Sequence, residues 1–168
     1  MIYIFHIISL IIIASLQGTV MKSICIFGTS ASLFVVYAVI SSFLAEKTEG
    51  VLVSGIFGLT LDILIGRFIG VYTVLFVISS FFVSGIFEKI LKEHKFYVCS
   101  GIVLFVTFFI EFFYYVIVFL LMGSLDIKNA LLKIGIECLY NAFLSVPIYF
   151  IIKKCTGRLR SDKGEYIE

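Results

Sequence analysis

The stretch FYVCSGIVLFVTFFIEFFYYVIVFLLM, residues 96–122, contains one charge, Glu111, and no proline. A bilayer core about 30 Å thick is crossed by about 20 apolar residues of helix. This run is therefore a transmembrane span with residues to spare, tilted or broken to fit. A helix apolar on all sides needs lipid or protein around it, not water. The rest of the chain reads the same way: 61% of its 168 residues are hydrophobic and 14% are charged, against about one quarter charged in soluble domains. A single soluble core of this size could not enclose so much apolar surface. The composition predicts an all-α fold, a polytopic transmembrane helical bundle over residues 1–152 followed by a polar tail, 153–168.

Working outward from that stretch, six spans are expected. The first runs from Ile2 to about Gln17 without a charge, and Gln17-Gly18-Thr19 with Lys22 marks its end. The start Met1-Ile2-Tyr3-Ile4-Phe5-His6 lacks the basic opening of a signal peptide, so the run is read as retained. The second span lies within Ser23 to Ala45 and starts late if Gly28-Thr29-Ser30-Ala31-Ser32 is not helical. Glu46 to Gly50 reads as a loop, Val51 to Ile65 as the third span, and Val71 to Phe87 as the fourth after the turn Gly66-Arg67-Phe68-Ile69-Gly70. A charged stretch, Glu88 to Lys95, precedes the fifth. Gly123 to Asn129 is a loop or the first turn of a helix, and the sixth span is Leu132 to Ile152. Five spans is the rival count, with the first two runs forming one span and a re-entrant piece.

The basic residues orient the bundle, because Lys and Arg accumulate on the cytoplasmic side. With six spans, Lys47, Lys89, Lys92, Lys95, Lys153, Lys154, Arg158, Arg160 and Lys163 share one side, and Lys22, Arg67, Lys128 and Lys133 the other. Nine against four places both termini, and the tail, in the cytoplasm. The 19 Phe and 9 Tyr, with no Trp, suit lipid contact and interfacial anchoring.

Polar groups inside the spans each need a reason. Gly58, Asp62 and Gly66 recur every four residues, so they share a helix face, and Gly70 follows at the same interval. Glycines so spaced let another backbone approach closely, and a polar side chain among them can hydrogen-bond across the contact. Asp62 is thus glue between helices, or a residue near the water boundary, or a dedicated partner or ligand contact. A second row, Glu137, Asn141 and Ser145, shares a face of the sixth span. Pro147 follows it, removing a backbone donor, freeing the Phe143 carbonyl and kinking the helix. Packing and partner binding are the two readings of this row as well. Glu111, near Thr107, Tyr114 and Tyr115, is expected to face the bundle interior.

No catalytic constellation emerges. His6 and His94 have no neighbours at metal-ligand spacing, and Asp62 is the only aspartate within a span, where intramembrane aspartyl proteolysis needs two. There is no phosphate-cradling glycine loop. Four scattered cysteines, Cys25, Cys99, Cys138 and Cys155, read as small apolar side chains. A net charge of +2 offers nothing to nucleic acid. No cofactor, metal or catalytic residue is expected.

The motifs resemble a known family. Glu49 to Lys89, with Gly58, Asp62, Gly66 and Gly70, is similar to the central segment of the bacterial rod shape-determining MreD family, where G-x-x-x-D-x-x-x-G is followed by a further glycine and an apolar helix. Asn141 with Pro147-Ile148-Tyr149 resembles the family's carboxy-terminal N-x(5)-P-x-Y, and Leu16-Gln17-Gly18-Thr19 its first-helix exit. Where the family often opens its second helix with Pro-Asp-Leu, this chain has Ala31-Ser32-Leu33. The resemblance implies a non-enzymatic, multi-pass subunit of the elongation machinery in the bacterial cytoplasmic membrane. Its implied partners are the bitopic protein MreC and, indirectly, wall synthases and MreB filaments. Either the Gly58–Asp62–Gly66 face or the Glu137–Asn141–Ser145 face would then hold the partner's helix.

The alternative is a substrate-binding S component of an energy-coupling factor transporter, which shares the size and the six-helical architecture. A vitamin binder should gather polar and aromatic groups beneath its outward loops. Here the outward loops are short, and only Asp62, Glu111 and Glu137 suggest such a cluster. An enzyme acting on lipid would need an acid–base pair near the surface, and none stands out: Glu88 and His94 share a loop, where solvated charges are the ordinary explanation.

Overall fold

The computed structural model describes residues 2–25, 28–65, 68–90, 96–123 and 126–161. Gly66, Arg67, His94 and the end of the tail lie outside the described residues. Six helices follow in order: α1 (Ile2–Ser23), α2 (Leu33–Leu44), α3 (Lys47–Ile65), α4 (Val71–Ile90), α5 (Phe96–Met122) and α6 (Ile127–Ser161). The described residues contain no long strand, and α1, α3, α5 and α6 are long and apolar enough to cross a membrane. The fold is a helical membrane bundle.

α2 is the axis of the bundle. It packs against all five other helices, and eleven of its twelve residues, Leu33 to Phe43, are buried. At about 1.5 Å per residue, twelve helical residues are too short to cross a bilayer. The non-helical residues 28–32 lead into α2. This is where the late start of the second span falls: the helix begins at Leu33, with Ser32 extended as its N-cap.

Lipid provides no hydrophobic force to join helices, so close packing and interhelical hydrogen bonds must do it. Around α2 they come from serines. The Ser42 hydroxyl lies 2.9 Å from that of Ser54 and 2.7 Å from that of Ser80, and the Ser84 hydroxyl donates to the Ser42 carbonyl at 3.2 Å. A Cβ on Gly50 would stand 2.8 Å from the Ser42 Cα, so only glycine permits this approach of α3 to α2. Four-residue spacing on α3 therefore begins earlier than Gly58: Gly50, Ser54, Gly58 and Asp62 are all buried.

Three expected boundaries move. Gln17-Gly18-Thr19 does not end α1, because Ser15, Thr19 and Ser23 return their hydroxyls to carbonyls four residues back and are accommodated within the helix. The loop read from Glu46 to Gly50 is largely the first turn of α3, with Glu49 favourably placed at the positive end of the helix. Gly50 N–H donates to the Glu46 carbonyl at 2.8 Å. α6 starts at Ile127, where Asp126 accepts from the Asn129 side-chain amide at 2.6 Å, and runs through Pro147 and past Ile152 to Ser161.

Candidate functional site

The named polar residues fall into two places. The first is the joint between α3 and α4, which form the most extensive helix pair in the bundle. Asp62, 1% exposed, reaches across from α3 to the start of α4. It accepts from the backbone N–H of Gly70 at 3.0 Å, Tyr72 at 3.0 Å and Thr73 at 2.9 Å, and from the Thr73 hydroxyl at 2.6 Å. The first turn of a helix has N–H groups without intrahelical partners. A carboxylate accepting from them also meets the positive end of the helix dipole. Asp62 is thus an N-cap supplied by the preceding helix. Gly70, at φ +102, gives the turn a conformation that side chains disfavour. One turn back, a Cβ on Gly58 would lie 2.8 Å from the Thr73 Cα. Gly58 and Asp62 therefore face α4 of the same chain and not lipid.

The second place is a recess of about 390 Å³ at the end of the bundle where α1, α3 and α5 finish. Its walls bring Gln17 from α1, Thr29 and Ser32 from the link before α2, Tyr72 from α4, Glu111, Tyr114 and Tyr115 from α5, and Lys133 and Glu137 from α6. Glu111 faces inward, 6% exposed. The Tyr72 hydroxyl donates to its Oε1 at 3.4 Å, a long contact, and the Tyr72 and Tyr114 rings stack at 4.5 Å between centroids.

Two carboxamides, Gln17 in the recess wall and Asn141 behind it, hold the start of α2. Asn141 Oδ1 accepts from Ser32 N–H at 2.9 Å while its Nδ2 donates to the Thr107 hydroxyl at 3.2 Å. Gln17 Oε1 accepts from Leu33 N–H at 2.9 Å, and its Nε2 donates to the Ala31 carbonyl at 2.9 Å. Backbone that leaves the helix at membrane depth needs such partners.

The row Glu137, Asn141, Ser145 divides accordingly. Glu137 lines the recess, Asn141 is spent on α2 and α5, and the buried Ser145 donates to its own helix at Ala142, 2.6 Å away. Pro147 is exposed. Reasoning from sequence missed Gln17 and Thr29 as site residues. The available signal was an amide closing a charge-free span just before a small, polar, non-helical link. It also left His6 alone, whereas Nδ1 lies 2.8 Å from the Tyr37 hydroxyl and Nε2 3.2 Å from Glu49 Oε1, fastening α1 at its other end. All four cysteines are free thiols. Among the described residues no group of three His, Cys, Asp or Glu side chains could hold a metal ion.

The family model for rod shape-determining protein MreD matches residues 1–157. The chain belongs to the MreD family. Its membership carries a role in rod shape determination and places this MreD-family bundle, with its apolar helices, in the bacterial cytoplasmic membrane as a multi-pass protein. No curated protein and no solved structure matches the chain.

Proposed function

We propose that this MreD-family chain is a non-enzymatic subunit of the cell-wall elongation machinery that holds a bitopic MreC-type partner and, through it, wall synthases and MreB filaments. The observation that carries the reading is the recess: a polar concavity at one end of a bundle whose tight glycine contact is already filled. Because α4 closes the Gly58–Asp62 face, a partner must bind elsewhere, and Glu137 with Glu111 supplies polar groups that the fold leaves open. With both termini cytoplasmic, as the basic residues argue, the recess lies on the outer side. A bitopic protein leaves the membrane there and presents the segment that follows its helix.

Depleting the chain in its native bacterium tests this: rods are expected to become spheres, and MreC to co-purify with the tagged wild-type chain. Unchanged shape together with no co-purification would contradict the proposal. The recess also favours a second reading, a small-molecule binder like the S components, since its volume falls in the range of ligand pockets. That reading expects a tightly bound small molecule in the purified protein and vitamin dependence without a change of shape.

A further inference from the structure

The recess contains two acidic side chains whose oxygens the described residues leave largely without donors. Glu111 is buried and has one long hydrogen bond, from Tyr72. Glu137 reaches the same recess from α6, and no hydrogen bond or ion pair to it forms among the described residues. Lys133, one turn before Glu137, is at the wall but within ion-pair distance of neither carboxylate. Independently, Thr29, 7% exposed, lines the recess with a hydroxyl that has no hydrogen-bond partner among the described residues. A carboxylate in a low-dielectric surrounding is costly without a counter-charge. Two of them beside a free hydroxyl and stacked tyrosines describe the environment that a cation needs.

We propose that the recess receives a basic side chain, a guanidinium or an ammonium, carried by the segment of the partner protein that adjoins its transmembrane helix. The proposal rests on the partner-holding reading and specifies its chemistry. A lipid amine is disfavoured on electrostatic grounds, because an ethanolamine headgroup brings its phosphate next to the same two carboxylates. A basic side chain brings no anion. The Glu pair takes the charge, Thr29 and Tyr72 offer hydroxyls to the flanking backbone, and the Tyr114 and Tyr115 rings line the approach.

The test uses the whole chain in phosphatidylcholine nanodiscs, with octylguanidinium as the probe, octylurea as its neutral isostere and intrinsic tyrosine fluorescence as the readout. Saturable binding of octylguanidinium and not of octylurea is expected. The affinity should fall about tenfold or more in E111Q/E137Q, as loss of a charge-assisted hydrogen bond implies, and should hold or rise in K133Q. The single variant E137Q, at the more open position, keeps the test valid if the double variant does not fold. Equal binding of octylurea, or equal binding by the glutamine variants, would overturn the proposal. So would loss of probe binding when phosphatidylethanolamine is added, which would make the lipid amine the occupant. Melting lowered by R67Q or K133Q, with no dependence of probe binding on the glutamates, would assign the counter-charge to the chain itself and overturn it too. If MreC co-purifies undiminished with E111Q/E137Q, the partner-holding reading survives and this one does not.

Discussion

The α3–α4 joint and the recess treat the same chemical group in opposite ways. At the joint, the Asp62 carboxylate is filled by four donors, three from α4 and one from Gly70 just before it. In the recess, Glu111 has one distant donor and Glu137 has none among the described residues. Tyr72 stands between them, giving its backbone N–H to Asp62 and its hydroxyl to Glu111. The contrast separates structure from function more sharply than residue type does. A carboxylate with its lone pairs satisfied inside the fold stabilises the fold, and one left open at a concavity is available to something else.

Substitutions should break the comparison in a definite order. Asp62→Ala is expected to be the most damaging, because it strands the first N–H groups of α4 away from water. Each orphaned donor costs about 1–3 kcal/mol, so a loss of about 4 kcal/mol is expected, read as a large fall in melting temperature in detergent. Gly58→Leu comes next: the side chain meets α4 backbone that cannot yield, and overpacking of this kind costs about 3 kcal/mol. Because both act on the fold, both should reduce the amount of inserted protein before any partner is considered. Glu137→Gln should change stability by less than about 0.5 kcal/mol, since no described contact depends on the charge, yet should fail to restore rod shape to depleted cells. A Glu137→Gln variant that melts like Asp62→Ala would erase the distinction.

How much of this was legible in the sequence follows the same divide. Hydropathy is local, so six apolar stretches were readable, and the four-residue spacing of Gly58 and Asp62 signalled a helix contact. Hydropathy says nothing about which apolar helix meets protein and which meets lipid. The central position of α2, which packs on all its neighbours, was therefore hidden, although the polar link 28–32 hinted at its late start. The bounds of α1 and α3 moved because Thr19 and Glu49 are compatible with helix when their polar groups find carbonyls or helix ends. Glu111 and Glu137 are each costly within a span, but they are 26 positions apart on different helices. Only the packing of α5 against α6 brings them to one recess.

The central claim is that the partner meets the recess while the glycine face is sealed by the chain's own α4. Photocrosslinking in native membranes tests it most directly, with a photoreactive phenylalanine analogue at Tyr115, in the recess wall, or at Phe76, packed behind Gly58. The account predicts a crosslink to MreC from position 115 and none from position 76. A crosslink from 76 with none from 115 would contradict it.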